Sequence, residues 1–171
     1  MRLYQRGHLR TVSRQLLGIY LSDHQAGSTL GIELAKRSAR NNRGTETGRA
    51  LQELAGEIEA DRDVLERLMR QLGVEGSRVK RAGAWAAEKV GRLKLNGHLL
   101  SYSPLSRLQE LEGLSLGIAG KQALWEALAN MPESDDLRGF EFDQLAERAR
   151  MQRETVESLR LTAAEEALRP A

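Results

Sequence analysis

The sequence predicts an all-α fold, an antiparallel four-helix bundle with helices 2 and 3 joined by a long crossover. Three observations carry this. Apolar and small residues recur at three-four spacing over four long segments. Capping or breaking residues mark the ends of the first three segments and the starts of the second and third. The links between segments are short, long and short in turn, which is the pattern of two helical hairpins joined by a crossover. No segment alternates with a strand period over a useful length.

Residues 1–14 form a basic leader with Arg2, Arg6, His8, Arg10 and Arg14 and no acid. A frayed, flexible terminus is the expectation, and an arm touching phosphate or a partner is the alternative. The bundle domain is expected over 15–168. Helix 1 is expected from about Gln15 to Asn41, with Leu17, Tyr20 or Leu21, His24, Gly27, Gly31, Leu34 and Ser38 facing inward. Asn41-Asn42-Arg43-Gly44 ends it with residues that tolerate a left-handed cap. Helix 2 runs from Thr45–Thr47 to Leu72-Gly73, with Leu51, Leu54, Ile58, Asp61, Leu65, Leu68 and Leu72 inward. The crossover, 73–103, holds an extra short amphipathic helix near Ser77–Leu95. Helix 3 opens on Ser103-Pro104, an N-cap followed by proline at the first helical position, and stops at Asn130-Met131-Pro132. Its inward positions are Leu105, Leu108, Leu111 or Glu112, Ser115, Ile118 or Ala119, Gln122 and Trp125. Helix 4 follows an acidic linker and runs from about Asp143 to Leu168, with Leu145, Ala149, Gln152, Val156, Leu159 and Ala163 inward.

Composition sets limits on function. The 171 residues suit one domain and can bury a sizeable core. The absence of cysteine removes disulfides and thiolate chemistry and fits a reducing, cytoplasmic setting. There is no apolar run of spanning length. Acids nearly balance bases, with a net charge of +2, and aromatics make up 4% of the chain. Nucleic acid is therefore an unexpected partner, because both the basic footprint and the stacking platforms are missing.

Some residues invite a functional reading beside a structural one. His24 and Asp61 both lie on inward stripes and at one height in the first hairpin, and a parallel crossover brings Gln152 level with them. A buried polar cluster of His24, Asp61 and Gln152 is the result, either as a network that fixes helix register or as a site for a metal or a small polar ligand. Glu33, Glu57, Glu112 and Glu157 share a height but sit one position off the stripes, as solvated glutamates would. Gly27 and Gly31 of helix 1, and Gly113 and Gly117 of helix 3, repeat at four-residue spacing. Since glycine inside a helix costs about 1 kcal/mol relative to alanine, they need a reason. Close helix packing, in the bundle or across a dimer, is the first reading, and a ligand cavity between helices 1 and 3 is the second. Finally, Arg78, Lys80, Arg81, Lys89, Arg92 and Lys94 surround Trp85 in the crossover, with Glu88 the sole acid between Gly76 and Gly97. Such a helix either covers the bundle with its charges solvated or meets an anionic membrane surface or a polyanion.

Local runs add a family resemblance: Leu21-Ser22-Asp23, the stretch Glu57 to Met69 (EIEADRDVLERLM), and Leu111-Glu112-Gly113. In these and in its helix order the chain resembles the ferritin-like superfamily, in a degenerate bacterial branch. Di-iron members place a Glu on each of two helices and Glu-x-x-His on the other two. Against that pattern, Glu57 and Glu112 remain. Ser28 stands in place of a Glu, Ala60 in place of a His, and Ala149 and Gln152 in place of a Glu-His pair. With only three histidines, at 8, 24 and 98, two Glu-x-x-His motifs cannot be formed. The resemblance thus implies the fold without the di-iron chemistry. No cofactor is expected, and His24, Glu57, Asp61 and Glu112 are the weak metal candidates left. The expected role is non-catalytic association, as a homodimer or a partner scaffold. The alternatives are a metal- or small-molecule-binding protein or residual oxidoreductase using the bundle interior, and a peripheral binder of anionic surfaces acting through the crossover.

Overall fold

A computed structural model describes residues 2–74, 102–132 and 134–170. Four long helices make up the fold, with no strand among the described residues: α1 (Arg2–Asn41), α2 (Glu46–Gln71), α3 (Pro104–Ala129) and α4 (Phe142–Leu168). A single 3-10 turn, Asp135–Leu137, precedes α4.

The helix ends are set by capping chemistry. Thr45 caps α2 by accepting from the Gly48 N–H at 3.0 Å, and Ser103 caps α3 by accepting from Ser106 at 3.2 Å. Pro104 occupies the first turn of α3. Gly44 and Gly73 come after α1 and α2 at positive φ, where a side chain would be strained. The start of helix 1 differs from expectation. The helix begins at Arg2, so the basic leader is the first part of α1 rather than a separate segment. Nothing in residues 2–14 opposes this, since the stretch holds no proline and only Gly7 as a poor helix former.

Two hairpins pair α1 with α2 and α3 with α4. The hairpins meet along α1–α3 and, much more loosely, along α2–α4. Arg37 of α1 binds Glu110 near the start of α3 at 3.0 Å, while Tyr20 and His24 share a cavity with Leu124 and Trp125 near its end. These two helices are therefore antiparallel. Gln71, at the end of α2, donates to the carbonyls of Asp136 and Arg138 just before α4, so α2 and α4 are antiparallel too. It follows that α2 and α3 run the same way. Val74 lies against Gly18 at one end of the bundle, and Tyr102 binds Asn42 at the other, 2.8 Å away. The link between them spans about 39 Å, the length of a 26-residue helix. The extra crossover helix, and Arg78, Lys80, Arg81, Trp85, Lys89, Arg92 and Lys94 with it, lie outside the described residues.

The core is a continuous leucine-rich seam, with Leu21, Leu51, Leu68, Leu111, Leu114, Leu124, Trp125 and Val156 essentially inaccessible. Burying one such leucine contributes roughly 1.5–3 kcal/mol. Trp125 and Phe142 stack at 6.3 Å and close the α3–α4 hairpin. Two inward faces are turned from expectation. In α1 the buried residues among 14–41 are Gly18, Leu21, Ser22, Ala26, Ile32, Ala35, Ser38 and Ala39, so Tyr20, His24, Gly27 and Gly31 lie to the side of the core. In α3, Leu105 and Glu112 are exposed, and Leu114 and Leu124 take inward positions.

Candidate ligand cavity between three helices

The turned face of α1 leaves space beside it. Between α1, α2 and α3 lies a cavity of about 420 Å³. It opens where Gly27, Gly117 and Leu116 reach the surface, Leu116 being 75% exposed. The small residues produce it. Among the described residues, a Cβ built on Gly27, Gly31, Gly117 or Gly120 would meet nothing within 4 Å, beyond the helix's own backbone. Close packing within the bundle is thus not what Gly27, Gly31 and Gly117 provide. Only Gly113 sits against its neighbour, with Leu34 Cδ2 3.1 Å from where its Cβ would be. The glycine that permits tight approach is Gly48, whose Cβ would lie 2.8 Å from the Asn42 carbonyl carbon. Gly44 precedes it at the same four-residue spacing but lies in the turn before α2, so the pair is not a repeat along one helix face.

The cavity has a charged wall. Asp61, 1% exposed, comes from the buried stripe of α2. Its Oδ2 accepts from Lys121 Nζ at 2.5 Å and from Gln152 Nε2 at 3.3 Å, and its Oδ1 pairs with Arg148. Lys121 also donates to Gln152 Oε1. One carboxylate, two cations and one amide, drawn from α2, α3 and α4, thus close the centre of the bundle. Lys121 is only 12% exposed at its side chain, whereas Arg148 is 43% exposed. Burial pushes the Lys121 ammonium below its ordinary value, and the neighbouring Asp61 pulls it back up.

Asp61 and Gln152 are therefore in contact, but His24 takes no part. It lines the same cavity, half-buried, with its ring edge-on to Tyr20 at 4.6 Å. Desolvation lowers its pKa from 6.5, against the opposing pull of Asp23. Height along the hairpin places His24 correctly, but its direction around α1 is a fraction of a turn away from Asp61. The partners that spacing misses are Lys121 and Arg148. Both are legible: Lys121 lies three residues after Ile118 and four before Trp125, and Arg148 lies four before Gln152, so each falls on an inward row. Long cations are ordinarily surface residues, and that general rule masks the local one.

The weak metal candidates do not converge. Glu57 and Glu112 are exposed, and Asp61 is occupied by cations. Among the described residues no three His, Asp or Glu side chains are grouped to hold an ion. Glu33 is exposed as well, and Glu157 pairs with Arg160 at 2.6 Å on its own helix.

Other polar groups on the cavity wall have spare capacity. Among the described residues the buried Trp125 indole N–H has no acceptor, nor has Arg62 Nε, whose neighbour Glu66 is 3.6 Å away. A larger groove of about 690 Å³ runs along the α2–α4 seam, flanked by Glu53, Glu57 and Glu147. Those acids are all exposed, so the groove lacks the buried, convergent groups of the inner cavity. Comparison with protein-family models, with curated proteins and with solved structures finds no match to this chain.

Proposed function

We propose that this chain is a small-molecule-binding helical bundle, whose ligand occupies the cavity between α1, α2 and α3. One observation carries the reading. Gly27, Gly31, Gly117 and Gly120 face open space rather than a packed neighbour, at a cost of about 1 kcal/mol each in helix propensity. The volume falls in the range of small-molecule sites, and the composition is the usual one: a mostly apolar lining with a few buried polar groups. The connectivity, with α1 beside α3 and α2 parallel to α3, supports a ferritin-like ancestry. The replacement of the di-iron positions by Ser28, Ala60, Ala149 and Gln152 supports binding without di-iron chemistry.

Calorimetry with octanol, a neutral apolar probe, tests this on the full chain. Binding at one equivalent, abolished by Gly31→Leu and Gly117→Leu, supports the reading. Folded protein that takes up no octanol, or the same octanol affinity in both variants, refutes it. Association with a second copy is the other reading, favoured by Leu116, which is largely exposed at the cavity mouth and would be covered in a dimer.

A further inference from the structure

The cavity is elongated: it extends from Tyr20 to Gly31 along α1, about 16 Å at the helical rise. Its polar groups gather in one half, where Lys121, His24, Arg62 and Asp23 lie. The half beyond Lys121, toward Gly113 and Gly31, is lined by Ile58, Leu114, Gly117 and Ile118. It runs about 12 Å along α3.

The polar half is short of acceptors. An ammonium has three donors, and Lys121 gives two of them to Asp61 and Gln152, leaving one without a partner among the described residues. The Trp125 N–H lacks an acceptor one turn further along α3. Charge points the same way, because Asp61 faces two cations, Lys121 and Arg148. Of the other acids nearby, Asp23 and Glu57 are exposed, where water screens them, and half-buried Glu66 is matched by Arg62.

Resting on the cavity reading above, we propose that the ligand is an apolar monocarboxylate. Its carboxylate accepts the remaining Lys121 N–H, and its alkyl tail lies along the glycine-lined half toward Gly31 and Gly113. The carboxylate supplies the acceptor and the negative charge that the wall lacks, and the tail covers the apolar half of the cavity.

Calorimetry of the full chain with octanoate, octanol and octylammonium separates the claims. The expected result is octanoate about tenfold tighter than octanol, the effect of one charge-assisted hydrogen bond, with octylammonium weakest. Lys121→Gln is expected to bring octanoate down to about the octanol affinity, a larger loss than octanol itself shows. Should Lys121→Gln fail to fold, lysine-labelled NMR of the wild type decides: the Lys121 Nζ resonance shifts more with octanoate than with octanol, and equal shifts overturn the monocarboxylate. Equal affinities for octanoate and octanol, both abolished by Gly31→Leu, would overturn the monocarboxylate while keeping the cavity site. No binding of either probe overturns both.

Discussion

Replacing Asp61 by asparagine keeps the shape of the central wall and removes its only negative charge. At 2.5 Å the Lys121–Asp61 attraction is about 6–7 kcal/mol gross, at an effective dielectric near 20. Most of that offsets the desolvation of the two ions, and breaking a buried pair from one side usually costs about 3–5 kcal/mol net. The lower end applies because Arg148 is partly exposed and can turn to water, while Lys121 keeps its bond to Gln152. We expect Asp61→Asn to lose about 3 kcal/mol in urea unfolding at neutral pH. For a domain of this size that is a drop in Tm of roughly 6–12 °C. The loss depends on pH with a definite sign. Without Asp61, Lys121 is held further below its ordinary 10.5, so the unfolded chain binds the proton more tightly. The penalty is full at neutral pH and fades as pH rises toward 10.5. Adding Lys121→Met removes the stranded cation and should recover much of the loss. A single variant within about 0.5 kcal/mol of wild type, or a double variant whose losses simply add, would show that the wall is not a coupled charge cluster.

Three further outcomes are expected from the same geometry. Gly27→Ala and Gly117→Ala, whose new Cβ atoms meet open space, should stabilise by up to about 1 kcal/mol each in thermal or urea unfolding, whereas close packing predicts a loss. Gly48→Ala should do the reverse and cost about 1–3 kcal/mol, because the Cβ would press on the Asn42 carbonyl and backbone cannot step aside as a side chain can. His24 should titrate by NMR with a midpoint below 6.5, its resonance assigned by its loss in His24→Gln. Since the folded state disfavours its charged form, stability should fall as pH drops through 6.5 and below, and His24→Gln should remove that component.

The fold is readable from the sequence because its boundaries are written in capping chemistry. Thr45, Ser103-Pro104 and Asn130 mark the ends of α2 and α3 by residue type alone. The start of α1 is not readable, since neither a cap nor a breaker separates the basic leader from the rest of the helix. The inward face of α1 is hard to read for a related reason. Its core side is built from Ser22, Ala26, Ala35, Ser38 and Ala39, whose small or polar side chains give periodicity little contrast. The neighbouring row of Tyr20, His24, Gly27 and Gly31 looks as inward as the true one. The site is half legible. Asp61 and Gln152 stand out as polar residues on apolar stripes, and the glycines raise a cavity as the second reading of their spacing. Lys121 and Arg148 are hidden by their own length, because a long cation can reach inward from a position that looks peripheral.

The most direct test of the central claim uses Trp125, which forms part of the cavity wall. In a Trp85→Phe variant it is the sole tryptophan. Octanoate brominated at the carbon beside its carboxylate is the quencher, and Lys121, one turn from Trp125, is where that carbon should lie. The account predicts saturable quenching at one equivalent, lost when Gly31→Leu and Gly117→Leu fill the channel. Quenching that never saturates, or that persists unchanged with the channel filled, would contradict it.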